Sequence, residues 1–247
     1  QYALLLCGEG EQRLPVNESE RASLRSLRRG VFARRPIAAG EVVQADDVYF
    51  AFPPQDGQFT ANDWSKYSTF TAQADIPEHA ALSPDNSNQR DVRGKVWAIV
   101  QQVRAQLSGS HVVVPGRVDL EISHHYGLDR FDDTGLAMLT VVNRGYCKKL
   151  LMLLPGQRHP EQYHKRKEET FHVLHGELTL ELDGVTRVCR PGDVVTVEPG
   201  VRHAFHSQEG AIIEELSSTH FSNDSFYTDE AINANRDRKT LLSYWMD

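Results

Sequence analysis

The sequence has few of the features that mark extracellular, membrane or nucleic-acid-binding proteins. Its three cysteines, Cys7, Cys147 and Cys189, are far apart and form no CxxC pair, which favours neither a thiolate zinc site nor a disulfide framework. The longest apolar run, around "KKLLMLLPG", is too short to cross a bilayer. The formal net charge of -7 provides no broad basic field for a nucleic-acid backbone. We therefore expect a cytoplasmic protein whose partners include neither membrane nor nucleic acid.

The composition is that of a folded chain. It has 247 residues, of which 40% are hydrophobic and 25% charged. This length suffices for two ordinary domains or one large one. We expect a helical segment over residues 1–19, the remnant of a longer chain, and a small, mostly β module over residues 20–85. A linker and connector helix over residues 86–109 and a second β domain over residues 110–247 complete the expected organisation.

The boundary between the two β regions is indicated by "LSPDNSNQRDV", whose Ser, Pro, Asn and Asp residues favour turns. The following stretch, "VRGKVWAIVQQVRAQLSG", predicts a helix that ends near Gly109. Its apolar stripe consists of Val96, Ile99, Val100, Val103 and Leu107.

From His111 onward the sequence consists of short alternating runs separated by Gly, Pro and Asp turns. This pattern is typical of an all-β sandwich or barrel. The "LDG" turn between "LTLEL" and "VTRVC" predicts a hairpin. The C-terminal "TDEAINANRDRKTLLSYW" is interpreted as helical or irregular and as the cover of an open edge.

One stretch, "HPEQYHKRKEETFHVLHGELTLELDG", combines histidines, bases and glutamates within a strand pattern. A divalent metal needs neutral imidazole and ionised carboxylate held by a rigid frame. Gln162 and His164 fall on the same face of a strand, and Glu169 returns to that face if the intervening residues form a bulge or turn. In a second segment, "PGDVVTVEPGVRHAF", His203 directly follows a Pro-Gly turn. We expect a divalent metal site from these residues.

The two segments resemble the paired motifs of the cupin family. The first motif reads Gln162, His164 and Glu169, followed by "VLHG", and the second reads Gly192, Asp193, Pro199, Gly200 and His203. The resemblance implies a jelly-roll barrel, a double-stranded β-helix, with His164, Glu169 and His203 as metal ligands. Gln162 stands where the family commonly has its first histidine. Because an amide oxygen is a weaker and harder donor than imidazole, three outcomes stay open: weaker binding, a preference for an ion such as manganese, or no metal.

Within cupins, residues 110–240 resemble the D-lyxose ketol-isomerase type of sugar isomerase, through "HKRKEE" and "IIEELSSTHFSNDSFYTD". The resemblance implies a sugar substrate and a metal, with manganese or zinc expected. It also implies catalytic roles for two further residues. Glu215 is the candidate base for proton transfer between C1 and C2, and Lys167 is the candidate polarising or proton-relay group.

The amino-terminal module, "SLRRGVFARRPIAAGEVVQADDVYFAFP", resembles the SAF (antifreeze-like, β-clip-like) domain at the carboxyl end of sialic acid synthases. By analogy, the resemblance implies a role in nonulosonic (sialic) acid or related carbohydrate metabolism. The expected fold is therefore mainly β: a small SAF module, a connector helix and a C-terminal cupin.

Two functions from different classes are compatible with this sequence, and a purely structural assembly domain is a third only if the pocket proves empty and metal-free. The first is a metal-dependent sugar isomerase or epimerase. The second is a non-catalytic sugar-binding, regulatory region of an N-acetylneuraminate synthase-like enzyme, which Gln162 favours. A homodimer is expected in either case. His159, His172 and His175 are interpreted as bystanders, and "SHHYG" at residues 123–127 as a polar strand end rather than part of a sugar pocket.

Overall fold

The computed structural model describes residues 16–219, 221, 223–235 and 237–246. The chain divides into two compact units, one ending at Val92 and the other beginning at Arg93. Most of the predicted N-terminal helical segment, residues 1–15, lies outside the described residues. Within the described ranges, no helix is both long enough and apolar enough to cross a membrane.

The first unit begins with helix α1, Glu18–Ser26, whose N-cap Asn17 accepts a hydrogen bond from the backbone N–H of Glu20. Five short strands follow: β1 Gly30–Ala33, β2 Val42–Val43, β3 Val48–Ala51, β4 Ser68–Ala72 and β5 Ser87–Asp91. β1 pairs with β3, and β2, β4 and β5 form a three-stranded sheet in that order. The small β module predicted from the turn-rich sequence is therefore present.

Aliphatic and aromatic side chains close this unit around one core. Its buried members are Val31, Ala33, Ile37, Val43, Val48, Phe70, Ala72, Ile76 and Leu82. Trp64 stacks on Phe70 with ring centroids 4.7 Å apart, and Phe59 meets Phe70 edge to face at 5.1 Å. These rings supply much of the apolar area that so small a unit needs for stability.

Helix α2, Arg93–Ser110, opens the second unit and confirms the helix predicted from apolar spacing. Its buried residues are the five of the predicted stripe: Val96, Ile99, Val100, Val103 and Leu107. Gln106 adds a polar anchor, since its side-chain amide donates to the carbonyl of Leu153 at 2.8 Å.

The second unit is a sandwich of two antiparallel sheets. Its strands are β6 Asp119–His124, β7 Gly135–Asn143, β8 Tyr146–Leu153, β9 Arg158–Tyr163, β10 Glu169–Gly176, β11 Leu178–Leu182, β12 Val185–Cys189, β13 Val194–Val197, β14 His203–His206, β15 Ala211–Ser218, β16 Phe226–Tyr227 and β17 Lys239–Leu242. One sheet has the order β13-β10-β15-β8-β7-β6-β17, and the other has the order β12-β11-β14-β9-β16. Two short helices, α3 Phe131–Thr134 and α4 Glu230–Ala234, connect strands. The expected mainly β jelly roll is confirmed.

Alternation along the strands accounts for this packing. In β10, Glu169, Phe171 and Val173 are buried, whereas the intervening residues are partly exposed. The apolar inner faces of the two sheets meet in a core that includes Leu151, Phe171 and Phe205. Buried polar side chains also lie between the sheets, and His164, Glu169 and His203 among them form the candidate site.

The predicted "LDG" hairpin is confirmed: β11 pairs antiparallel with β12, and both Asp183 and Gly184 have positive φ. This is the conformation that a two-residue Asp-Gly turn of the primed type requires.

The interpretation of the C-terminal segment as helical or irregular was wrong in one part. Residues Lys239–Leu242 form β17, which pairs with β6 at the edge of the larger sheet. The alternation of buried Thr240 and Leu242 with exposed neighbours suits an edge strand covering one face of the core.

Candidate metal centre

Three of the predicted metal ligands converge inside the sandwich. His164 follows β9, Glu169 begins β10 and His203 begins β14, so the two facing sheets both contribute. One ligand atom of each lies within 4.8 Å of the others, and all three side chains are buried. His164 Nε2 and His203 Nε2 each lie 3.3 Å from a different oxygen of Glu169.

Both imidazoles are held in the tautomer that a metal requires. His164 Nδ1 donates to the backbone carbonyl of Asp224 at 2.6 Å, and His203 Nδ1 donates to that of Val201 at 3.2 Å. Each Nε2 therefore presents a lone pair toward Glu169. His164 Nε2 and Glu169 Oε2 are buried and have no hydrogen-bond partner among the described residues. Lone pairs facing a carboxylate repel it unless a cation lies between them, so this donor set fits a divalent ion.

The charge states of the site favour metal binding as well. Burial favours the neutral form of Glu169, but nearby groups, the cationic Lys167 among them, outweigh burial and lower the pKa of this carboxyl. Burial lowers the pKa of His203, so its imidazole stays neutral. An ionised carboxylate and neutral imidazoles are the forms that bind a metal.

Lys167, the candidate polarising group, lies between two buried carboxylates. Its Nζ is 2.5 Å from Glu169 Oε1 and 3.1 Å from Glu215 Oε1. Burial alone would lower the pKa of Lys167, but the charges of Glu215 and Glu169 outweigh burial and raise it. The lysine is therefore held as a cation between the two carboxylates.

Glu215, the candidate base, is buried on β15, whereas its neighbour Glu214 faces the opposite side of the sheet. Its Oε1 accepts hydrogen bonds from Lys167 and, at 2.9 Å, from Ser217 Oγ. Glu214 instead pairs with Lys148 at 2.6 Å and with His172 at 3.4 Å. The structure thus separates the adjacent glutamates into one facing the cavity and one on the outer face.

Gln162, which replaces the first histidine of the cupin motif, lies beside the same centre. It is directly opposite His203 across the β9–β14 pair, and its Nε2 lies 3.2 Å from His203 Nε2. In this orientation the amide donates to His203. A half turn of the amide would bring Oε1 to the centre as a fourth donor.

A cavity extends from this centre between the sheets. Its wall includes Ser123, Leu136, Met138, Lys149, Leu151, His159, Gln162, His164, Lys167, Glu169, Phe171, Phe205, Glu215, Ser225, Tyr227 and Lys239. Its volume of ≈ 40 Å³ has room for a few water molecules.

Sequence reasoning missed Lys149, although strand alternation carried a signal. In "YCKKLLML", Cys147, Lys149, Leu151 and Leu153 share one face of β8, so one lysine had to point inward. Lys149 is buried and lies directly opposite Glu215 across the β8–β15 pair. No hydrogen bond or ion pair to its ammonium occurs within the described part of the chain.

The interpretation of "SHHYG" as a polar strand end overlooked a buried hydrogen-bond network. His125 Nδ1 donates to the carbonyl of Thr134 at 2.7 Å, so its Nε2 accepts from Tyr227 Oη at 3.0 Å. Tyr227 lines the cavity, and the adjacent His159 stacks on Phe205 with centroids 4.5 Å apart. His159 is therefore part of the cavity wall rather than a surface residue. His172 and His175 lie in β10 and are absent from that wall.

Comparisons with known proteins agree with this division of the chain. Residues 28–86 match the SAF domain model, and residues 149–214 match the Cupin domain model. A D-lyxose/D-mannose isomerase from Thermosediminibacter oceani is 30% identical over 171 residues, an alignment that covers 57% of this chain and 94% of that protein.

Two solved structures are also similar. An L-ribose isomerase from Acinetobacter sp., solved with L-ribose, is 13% identical with a TM-score of 0.50, covering 60% of this chain and 96% of that one. A spore coat polysaccharide biosynthesis protein E (assigned as putative) from Chromobacterium violaceum is 54% identical with a TM-score of 0.32. That match covers 35% of this chain and spans about a quarter, 26%, of the other protein.

Proposed function

The chain belongs to the D-lyxose isomerase family, and on this premise we propose that its cupin domain is a metal-dependent aldose–ketose isomerase for a small sugar. One observation carries the proposal. Two imidazole lone pairs and the ionised Glu169 converge beside a buried Lys167–Glu215 pair, next to a cavity lined by both polar and apolar side chains. A metal centre next to a base and a fixed cation is what proton transfer between two sugar carbons requires.

The proposed ligands are His164, Glu169 and His203, with the Oε1 atom of Gln162 as a fourth donor when the amide turns. Manganese or zinc suits two imidazoles, a carboxylate and an amide oxygen. A bound divalent ion supplies Lewis-acid polarisation of the sugar oxygens and a template for their orientation.

We assign the proton transfer to Glu215. As a carboxylate it removes the proton from C2 of the open-chain aldose and returns it to C1, while the hydroxyl proton moves between O2 and O1, which completes the ketose. Ser217 and Lys167 both donate to the same oxygen, Oε1, and so fix the carboxylate in place. General bases of this kind contribute about 10²–10⁴-fold to rate.

Lys167 stabilises the negative charge that develops on the sugar oxygens. Its raised pKa keeps it protonated, and burial of the pair makes its charge more effective than it would be in water. Lys149, opposite Glu215 and without an ionic partner among the described residues, is assigned to bind sugar hydroxyls farther from the centre.

The test compares two adjacent glutamates in metal-loaded protein. Sugars, including D-lyxose, D-mannose and N-acylhexosamines, are incubated in D₂O, and ketose formation and deuterium incorporation are followed by NMR. Glu215→Gln is expected to lower both rates by about 10²–10⁴-fold at unchanged metal content. Glu214→Gln, on the outer face of the same strand, is the matched control and should retain wild-type rates.

Two results would contradict the proposal in different ways. Full activity in Glu215→Gln would remove Glu215 as the base. Saturable sugar binding without turnover or deuterium exchange in the wild type would favour the non-catalytic, regulatory function instead.

The SAF domain supports a further part of the proposal, that the isomerase acts in nonulosonic (sialic) acid or related carbohydrate biosynthesis. Inclusion of N-acylhexosamines among the tested sugars addresses this part directly. A cytoplasmic location and a homodimer belong to the same proposal, and light scattering of the purified protein measures the latter.

A further inference from the structure

We propose that Asp224 is a positioning residue that sets the orientation of His164 and the place of Lys167 together. Asp224 lies between β15 and β16, is buried and does not line the cavity. Asp224 can therefore affect the site only through the residues that it contacts. The proposal rests on the proposed metal centre and adds to it a residue that determines its geometry.

The main chain of Asp224 fixes the metal ligand. Its carbonyl accepts the Nδ1–H of His164 at 2.6 Å, the shortest of the hydrogen bonds to either imidazole of the centre. This contact selects the tautomer and turns Nε2 toward Glu169 and His203. Partners of this kind on a ligating histidine raise its basicity and hold its ring.

The side chain of Asp224 fixes the turn that carries the cation. Its carboxylate accepts three successive backbone N–H groups, from Lys165 at 3.2 Å, Arg166 at 3.2 Å and Lys167 at 3.0 Å. These residues connect His164 with Glu169 and form the turn that sequence reasoning required to bring both ligands to one face. An anion accepting three N–H groups makes charge-assisted hydrogen bonds, which are stronger than neutral ones.

Contacts on the outer side of this turn hold residues 164–167 against the chain that leads into β16. Arg166 donates to Asn223 Oδ1 at 3.1 Å, and its guanidinium lies 4.2 Å from the centroid of the Phe221 ring. Lys165 Nζ lies 4.4 Å from the centroid of the Phe226 ring. Asp224 is thus the buried centre of a contact between residues 164–167 and the chain that leads into β16. A change at Asp224 must move a metal ligand and the cation together.

The experiment uses the full chain and Co²⁺ as the probe. Asp224→Asn keeps the shape of the side chain but replaces one acceptor oxygen with an NH₂ group that opposes the N–H donors. We expect Co²⁺ affinity, measured by competition with an indicator dye, to fall about 10- to 100-fold. The visible spectrum of bound Co²⁺ should change, because loss of the carboxylate contacts loosens the turn and shifts the Asp224 carbonyl that holds His164. Asp193→Asn is the control: Asp193 accepts a backbone N–H from Arg190 at 2.8 Å in a turn that bears no ligand.

Asp224→Glu is the second variant and decides the matter if Asp224→Asn does not fold. It retains the negative charge but displaces it by one methylene, so it should show the same loss of affinity and spectral change, in smaller measure. Folded variants with wild-type Co²⁺ affinity and spectrum would overturn the proposal. If the wild type binds Co²⁺ but converts no sugar, the isomerase function fails, whereas the affinity comparison still tests Asp224.

Discussion

Replacement of Lys167 by methionine tests the electrostatic reasoning about the site most directly. The substitution removes the cation that lies between Glu169 and Glu215 while it retains an unbranched, apolar side chain of similar length. Both carboxylates are almost fully buried, with 2% and 3% of their surface exposed. Without Lys167, at least one of them is left as a buried charge without compensation, or must take up a proton.

The size of the expected loss of stability follows from the burial of these carboxylates. Removal of one partner from a buried ion pair costs about 3–5 kcal/mol, because the charge that remains is poorly solvated. For a domain of this size each kcal/mol corresponds to roughly 2–4 °C, so the melting temperature of the metal-free variant should fall by roughly 6–20 °C. A bound divalent ion replaces part of the lost positive charge. Metal should therefore stabilise the variant more than it stabilises the wild type.

The assay is denaturant and thermal unfolding with and without saturating metal. Lys165→Met is the matched control, since Lys165 is exposed and lies over the Phe226 ring. Its unfolding free energy should change by no more than about 0.5 kcal/mol. The reasoning is refuted if metal-free Lys167→Met is as stable as the wild type. It is equally refuted if metal stabilises both proteins by the same amount.

Two further predictions concern the pH dependence of stability and Gln162, which replaces the first histidine of the cupin motif. Burial lowers the pKa of His125 from 6.5 to about 4, so the folded protein resists protonation that the unfolded chain accepts, and stability should fall as the pH drops from 6.5 toward 4. This loss of stability totals about 3 kcal/mol. In urea unfolding at a series of pH values, His125→Phe should flatten the slope of unfolding free energy against pH, even if it lowers stability overall. An unchanged slope would contradict the assignment of this pH dependence to His125. Gln162→His should tighten zinc binding by about tenfold or more in dye competition, because imidazole replaces a weaker amide donor. Equal affinity in both proteins would show that position 162 does not contact the metal.

Local patterns were sufficient to predict the elements whose determinants lie within one stretch of sequence. The stripe of helix α2 repeats at helical spacing, and the Asp183–Gly184 turn requires only two residues in a particular conformation. The convergence of His164, Glu169 and His203 followed from two motifs joined by a family resemblance. Spacing alone does not place β14 beside β9.

Residues supplied by distant strands escaped prediction because pairing order is a long-range property. Ser123 on β6 and Tyr227 on β16 reach the same cavity from sequence positions far from either motif. Strand β17 escaped for the same reason, since its four residues acquire an extended form through the free edge of β6. A lone histidine such as His125 carries no signal in sequence for the Tyr227 hydroxyl that it meets in the fold.

The strand-pairing register shows which residues flank Gln162, and the sequence motif alone did not. Across the smaller sheet, Gln162 lies directly opposite His203 on one side and Tyr227 on the other, so the three form one row across the sheet. Gln162 and Tyr227 line the cavity. Histidine and glutamine both offer one acceptor and one donor, but the amide has its oxygen and its nitrogen on the same terminal carbon. Gln162 can therefore face the metal with its oxygen while its nitrogen meets a sugar hydroxyl. A change at position 162 should therefore alter metal affinity and sugar affinity together.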